Sequence, residues 1–215
     1  MKILVLITLL QAFTALAVDK SGRTLASLQP SIRKEQAREL FGTNYKNSIV
    51  STFEGHAGLE RNIFATVKAN LPKKYKKDAQ EIARTIVLEA GKHQLDPYFV
   101  MAVISGESSF NPEARGPVGE IGLMQIRAST GEWIAGINKT KYHGKKTLLN
   151  PVSNIKLGTA YLAWLRSKFH GHGQLYLAAY NMGPGSVNRA VGKKIWPKDY
   201  PRHVMKRYIA FYKEL

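Results

Sequence analysis

The chain has 215 residues, 44% of them hydrophobic, and a formal net charge of +17 from 32 basic and 15 acidic residues. It contains no cysteine, which excludes disulfides, a thiolate nucleophile and cysteine-ligated metal sites. A chain of this length forms one domain with an appendage or two small domains. None of the six histidines belongs to an HExxH motif, so the sequence predicts no metal site.

The first residues have the pattern of an exported protein. Lys2 precedes the apolar run ILVLITLLQAFTALA, and Ala15-Leu16-Ala17 has the small-x-small form of a cleavage site. The alternative is an uncleaved membrane anchor, but the run has about 16 residues, fewer than the roughly 20 that span a bilayer. No cysteine follows it for lipid attachment. We predict a signal peptide at residues 1–17 and a location in the periplasm or outside the cell.

The excess of basic over acidic residues favours a polyanionic partner, since the positive electrostatic potential of such a chain attracts negatively charged polymers. For an exported protein, an acidic wall polymer or an anionic membrane surface fits this charge better than nucleic acid. The alternative is a solvated basic surface without a specific partner.

Residues 18–77 are predicted to form a basic, helical N-terminal segment. The stretches SIRKEQARELF and GLERNIFATVKANL have helical spacing, and the second places Leu59, Ile63, Val67 and Leu71 on one face. The charge run PKKYKKD at 72–78, opened by a proline, is the best candidate for a boundary or linker. We therefore assign residues 78–215 to a second unit.

From Asp78 onward the chain is predicted to be a series of helices. AQEIARTIVLEAGKHQ comes first, and the dipeptides Asp96-Pro97 and Asn150-Pro151 each have an N-cap acceptor followed by a proline, which marks a helix start. A glycine-rich loop at 116–122 leads into the next segment, LMQIRASTGEWIAG. GQLYLAAYN closes at 183–185, and RHVMKRYIAFYKEL ends the chain. The predicted fold class is all-α.

Glu107 is the residue that the helical pattern does not explain. On the helix from Pro97, Val100, Val103 or Ile104 and Glu107 fall on one apolar stripe, so the carboxyl group is predicted to face the interior. Burial raises the pKa of a carboxyl group, which can then donate a proton near neutral pH. From position alone, a structural ion pair with an Arg or Lys explains a buried glutamate equally well.

Three motifs follow in order and decide between these two interpretations. Glu107-Ser108-Ser109-Phe110-Asn111-Pro112 precedes Gly122-Leu123-Met124-Gln125, and Ala179-Tyr180-Asn181 precedes Gly183-Pro184-Gly185. Together they resemble the lytic transglycosylases of the soluble, Slt-type family 1, over about residues 78 to 212. The resemblance implies a lysozyme-like, goose-type-like helical catalytic domain, here with a helical N-terminal extension, that acts on peptidoglycan.

The resemblance also implies roles for individual residues. Glu107 matches the catalytic glutamate, and Ser108 matches the serine that helps to orient that acid or the substrate. The family's cleft floor and sugar-contacting positions match Gly122, Leu123, Met124, Gln125, Tyr180 and Asn181. Tyr208 resembles the late family tyrosine that reaches back to the glutamate. Without the resemblance, Leu123 and Met124 read as core residues and Asn181 as a helix C-cap.

The chain departs from the family pattern at three places. The family often has serine at the position of Gly116, small residues around Glu120, and Met-Pro at the position of Arg127-Ala128. Glu120 raises a mechanistic question, because ordinary glycosidases use two carboxylates. We expect Glu120 to be exposed on a turn and Glu107 to work alone.

The resemblance implies that Glu107 protonates the glycosidic oxygen between N-acetylmuramic acid and N-acetylglucosamine and then deprotonates the muramic C6 hydroxyl. This chemistry requires no cofactor and leaves 1,6-anhydromuramic ends. The expected partner is a peptidoglycan glycan strand, with anionic wall polymers on the basic surface, no nucleic acid, and a monomeric enzyme. The alternatives are a hydrolytic muramidase or chitinase of the lysozyme superfamily and a non-catalytic wall-binding protein.

Overall fold

The computed structural model describes residues 30–52 and 59–215, so the predicted signal peptide at 1–17 lies outside the described residues. All regular elements in these two ranges are helical, which confirms the all-α class. The α-helices are α1 (Pro30–Phe41), α2 (Ile49–Thr52), α3 (Leu59–Asn70), α4 (Ala79–Lys92), α5 (Pro97–Ser108), α6 (Ala128–Ile137), α7 (Lys145–Leu149), α8 (Pro151–Lys168), α9 (Gly173–Met182), α10 (Pro184–Gly192) and α11 (Asp199–Lys213). The 3-10 helices are Gly42–Asn47 and Lys73–Asp78.

Helix α5 is the central helix of the described fold. It begins as predicted, with the Asp96 side chain accepting a hydrogen bond from the Tyr98 backbone N–H at 2.8 Å and Pro97 in the first turn. Every residue from position 97 to 104 is buried. The apolar run therefore does not form a single stripe, because the helix is covered on all sides, chiefly by α4 and α11.

The N-terminus of α5 is fixed by a buried polar cluster around Asp96. Its second carboxylate oxygen accepts hydrogen bonds from the hydroxyls of Tyr208 and Tyr212 on α11, each at 2.6 Å. Asp96 is completely buried, and burial raises the pKa of its carboxyl group. The hydrogen bonds from the tyrosines act in the opposite direction and lower it. The cluster joins two helices that are more than a hundred residues apart in the chain.

The described part of the N-terminal segment packs into the same hydrophobic core as the rest of the chain. On α1, Gln36 donates to the Tyr176 hydroxyl at 2.7 Å, and Glu39 accepts a fork of hydrogen bonds from Arg166 of α8. On α3, Asn62 accepts from the Tyr98 hydroxyl at 3.0 Å. The stretch predicted as a linker is largely a 3-10 helix that leads directly into α4. The division at residues 77 and 78 stays a prediction of domain organisation.

Several element boundaries differ from the predictions. Helix α6 begins at Ala128, five residues after the start of the predicted LMQIR segment, because that segment forms turns and a backbone bridge between Ile121 and Ile126. Helix α10 was not predicted, and α11 begins at Asp199 instead of Arg202. Among the described helices, none combines the length and apolar character that crossing a bilayer requires.

We expect Asp96→Ala to destabilise the fold by about 3–5 kcal/mol, because it removes a helix cap and leaves two buried tyrosine hydroxyls without their acceptor. Asn150→Ala is the matched control, since Asn150 caps α8 through Ser153 N–H at 2.9 Å in an exposed position. That variant should lose about 1 kcal/mol. Urea denaturation measures both, and equal losses would contradict the role of the Asp96 cluster.

Candidate active site

A cavity of about 470 Å³ lies at the C-terminal end of α5. Four of the nine predicted site residues line it, namely Glu107, Gln125, Tyr180 and Asn181. The other lining residues are Gly116, Pro117, Val118, Glu120, Ile126, Arg127, Thr130, Tyr161, Met182 and Gly183. The motifs that contain Glu107, Gln125 and Tyr180-Asn181 therefore all contribute to one cavity, which agrees with what the family resemblance implies.

Glu107 is half-buried in the last turn of α5, and the Tyr200 hydroxyl donates a hydrogen bond to its Oε1. Burial raises the pKa of this carboxyl group to about 7. The Tyr200 hydrogen bond opposes the shift, the negative charge of Glu120 adds to it, and Arg207 reduces it. Glu107 can therefore hold a proton near neutral pH and release it with little cost, which suits a general acid or base.

The GLMQ segment supports the cavity more than it lines it. Leu123 and Met124 are completely buried, so they belong to the core beneath the cavity. The Leu123 carbonyl accepts from the Ser108 hydroxyl at 2.8 Å, and the Met124 carbonyl accepts from the Tyr180 hydroxyl at 2.8 Å. Ser108 and Tyr180 thus tie this segment to the two helices that carry the other motifs.

Asn154 on α8 holds the same segment from behind. Its side chain accepts from Met124 N–H at 2.7 Å and donates to the carbonyls of Ile121 and Leu148 at 2.8 and 2.9 Å. Gly122 has a φ of +82°, and a Cβ there would collide with the Asn154 amide. Glycine at this position is therefore required by both backbone conformation and space.

Gln125 connects this support to the cavity wall. Its Nε2 donates to the carbonyls of Ala114 and Gly122 at 3.0 and 2.9 Å, which fixes the side chain across the loop. Its Oε1 lies next to Gly116, which also lines the cavity. The amide oxygen is thus the atom of Gln125 that is available to a ligand.

The prediction that Glu120 is exposed on a turn is wrong. Its side chain is only 18% exposed and lines the cavity with Glu107. One carboxylate oxygen accepts from Arg127 Nε at 2.9 Å and the other from Val118 N–H at 3.1 Å. Although burial raises the pKa of Glu120, backbone hydrogen bonds and Arg127 outweigh that effect and lower it overall. The cavity therefore contains two carboxyl groups whose pKa values are shifted in opposite directions.

The prediction that Tyr208 reaches back to Glu107 is also wrong. Tyr208 is completely buried and donates to Asp96 at the opposite end of α5. Helix α11 runs antiparallel to α5, so Tyr200 in its first turn lies beside Glu107, about 12 Å before Tyr208. The sequence contains both tyrosines on one helix, and only the packing of α11 on α5 determines which one meets the glutamate.

Sequence reasoning also missed Tyr161, Arg127 and Thr130 on the cavity wall. Tyr161 lies on α8 with its ring centroid 5.5 Å from that of Tyr180. Its position in the segment AYLAWL is typical of a packed helix face, so the sequence offered no signal for it. Val118 and Met182 are exposed apolar residues at the rim.

The family described as Transglycosylase SLT domain matches residues 85–202, which is more than half of the chain. The chain belongs to the transglycosylase SLT domain family. It is 40% identical over 99 residues to a putative soluble lytic murein transglycosylase of Haemophilus influenzae, covering 44% of this chain and 17% of that protein. It is 38% identical over 95 residues to the soluble lytic murein transglycosylase of Salmonella typhimurium, covering 44% and 15%. The matched region thus spans less than a fifth of the length of each of these two relatives.

Solved structures show the same fold for this SLT family member. An inactive mutant of the lytic transglycosylase Slt from Pseudomonas aeruginosa has a TM-score of 0.56 at 23% identity, covering 93% of this chain and 38% of that one. The 70-kDa soluble lytic transglycosylase of Escherichia coli has a TM-score of 0.52 at 22% identity, with the same coverage. These similarities confirm a lysozyme-like helical architecture.

We expect Tyr200→Phe to raise the pKa of Glu107 above its value of about 7, because the lost hydrogen bond favours the ionised carboxylate. The matched control is Tyr208→Phe, which removes a hydroxyl from the same helix but from the Asp96 cluster. Carbon-13 NMR titration of the glutamate carboxyl groups, with Glu107→Gln for assignment, measures the shift. A shift of the same size in both variants would contradict the specific pairing of Tyr200 with Glu107.

Proposed function

We propose that this protein is a peptidoglycan lytic transglycosylase that cleaves the β-1,4 bond between N-acetylmuramic acid and N-acetylglucosamine. The observation that carries the proposal is the half-buried Glu107, with a pKa raised to about 7, at the end of a cavity built from the three motifs. The names of the family and of its murein transglycosylase relatives support the same substrate.

In the first step, protonated Glu107 donates its proton to the glycosidic oxygen, and the bond to the muramic C1 breaks. The positive charge that develops at C1 is stabilised by the substrate's own 2-acetamido group. Tyr200 orients the carboxyl group through its hydrogen bond to Oε1. Asn181, the Gln125 amide oxygen and the Tyr180 ring are the candidate contacts of the sugar rings on the cavity wall.

In the second step, ionised Glu107 takes the proton from the muramic C6 hydroxyl, and the oxygen of that hydroxyl attacks C1. The product is a 1,6-anhydromuramic end, no water is consumed, and Glu107 is protonated again. One carboxyl group performs both steps efficiently only if its pKa lies near the working pH, which agrees with the shift to about 7. No step requires a cofactor.

The basic charge fits a role at the cell wall. Peptidoglycan carries carboxylates on its lactyl-peptide stems, and a net charge of +17 would concentrate the protein on such a polymer. A monomer exported to the periplasm or beyond the cell would meet this substrate directly. Relatives include proteins described as soluble and, in Buchnera aphidicola and Histophilus somni, as membrane-bound, so the family name alone does not define the location of this chain.

A second candidate function, hydrolysis of the same bond, is favoured by Glu120. A glycosidase that adds water uses one protonated and one ionised carboxyl group. Glu107 with a raised pKa and Glu120 with a lowered pKa in one cavity form such a combination. Against this, both oxygens of Glu120 already accept hydrogen bonds from Arg127 and Val118, which reduces its strength as a base toward water.

We expect Glu107→Gln to lower peptidoglycan lysis about a thousandfold without changing the fold, because the variant cannot transfer a proton. Wild-type activity should decline as pH rises through about 7, since Glu107 then loses the proton that the first step needs. Mass spectrometry of digested sacculi measures lysis and should detect 1,6-anhydromuramic ends. Unchanged lysis by the variant would exclude Glu107 as the catalytic acid, and absent lysis by both proteins would favour a non-catalytic wall-binding role.

Glu120→Gln separates the two candidate reactions. We expect only anhydro products from both wild type and variant, with less than about a tenfold loss of rate, because a partly exposed ion pair such as Glu120–Arg127 contributes about 1 kcal/mol or less. The decline of activity at high pH should move to lower pH, because the negative charge of Glu120 raises the pKa of Glu107. Reducing ends that appear with wild type and vanish in the variant would establish hydrolysis.

A further inference from the structure

A row of aromatic side chains leads out of the cavity along helices α6 and α8. We name it the aromatic row, and it consists of Tyr180, Tyr161, Trp164 and Trp133. The Tyr161 ring centroid is 5.5 Å from Tyr180 and 6.2 Å from Trp164, to which it is stacked with an interplanar angle of 12°. The Trp164 ring meets Trp133 edge-on at 4.7 Å.

The spacing of residues on α6 and α8 places the aromatic row next to the cavity. Tyr161 and Thr130 both line the cavity, one on α8 and one on α6. Trp164 and Trp133 each follow these residues by three positions, so they lie one turn further along the two packed helices. A chain of sugars that occupies the cavity and continues in this direction meets Trp164 and Trp133 next.

Trp133 is not needed to fill the core. It is 42% exposed, and Ile137, one turn further along α6, is 53% exposed. Trp164 is only partly buried, with the Lys168 ammonium 5.2 Å from its ring centroid. The Trp164 ring already packs against Tyr161, Trp133 and Lys168, so Trp133 carries the exposed aromatic surface of the pair. Exposed apolar surface next to a cavity is typical of a binding site.

We propose that Trp133, at the outer end of the aromatic row and supported by Trp164, is a subsite for a sugar ring of a glycan strand outside the cavity. The proposal rests on the peptidoglycan substrate proposed above. The C–H bonds on one face of a pyranose ring pack against the electron-rich face of an indole, and the hydroxyls at the ring edge remain in water. Lys168 is placed to attract the carboxylates that the strand carries.

A glycan fits this surface better than a protein partner does. A stable protein interface covers about 800 Å² on each side, with a central apolar cluster. Here the exposed large apolar residues on α6 are only Trp133 and Ile137, among the described residues, and the aromatic neighbours of Trp133 are themselves partly buried. A narrow row that starts at the cavity matches a linear polymer of repeated rings.

Binding by the full-length Glu107→Gln protein tests this inference without requiring turnover. The probes are purified insoluble peptidoglycan strands and a soluble peptidoglycan disaccharide, whose size matches that of the cavity. We expect Trp133→Ala to reduce the ratio of strand affinity to disaccharide affinity about tenfold, which corresponds to the loss of one well-packed aromatic contact. Trp133→Phe should recover most of that ratio because it keeps an aromatic face.

Trp196→Ala is the matched control, since Trp196 is 52% exposed but lies outside both the aromatic row and the cavity lining. It should leave the ratio unchanged. An unchanged ratio in Trp133→Ala, or an equal change in both tryptophan variants, would overturn the subsite. The binding test does not depend on cleavage. If strands bind through Trp133 while the separate digestion experiment yields no anhydro products, the subsite stands and only the proposed reaction is contradicted.

Discussion

The burial of helix α5 is the constraint on which the rest of the structure depends. A helix that is apolar on all sides must be covered by other helices, and α4 and α11 cover it here. Its two ends carry carboxyl groups in different surroundings. Asp96, at the N-terminus, is completely buried and accepts three hydrogen bonds, whereas Glu107, in the last turn, is half-buried at the cavity. The helix dipole favours negative charge at the first position and disfavours it at the second.

The same arrangement explains why tyrosines of the single helix α11 contact both carboxyl groups, Asp96 and Glu107. Because α11 runs antiparallel along α5, Tyr208 and Tyr212 bind Asp96 while Tyr200 binds Glu107. The first pair stabilises the packing of the two helices, and this packing fixes the position of Tyr200 beside Glu107. A change at the Asp96 cluster would therefore disturb the active site through the orientation of α11, without any contact with substrate.

The sequence predicted the all-α class, the caps at Asp96 and Asn150, and the convergence of three motifs on Glu107, because these features depend on local patterns and on family resemblance. It did not distinguish lining residues from supporting ones. Leu123 and Met124 lie in the core, and Ser108 acts through the Leu123 carbonyl. Tyr200 and Tyr161 reach the cavity only through the packing of whole helices, which a single sequence does not encode in any local pattern.

The three departures from the family pattern prove to be one structural unit on the cavity wall. A Cβ at Gly116 would overlap the carboxylate of Glu120, and that carboxylate accepts a hydrogen bond from Arg127. Serine at 116 would force the Glu120 side chain to move, so glycine there permits the glutamate, and the glutamate orients the arginine. Because the unit places a negative charge near Glu107, it favours the protonated form of that carboxyl group. The departures therefore act together on the proton affinity of Glu107, although they lie on a different part of the chain.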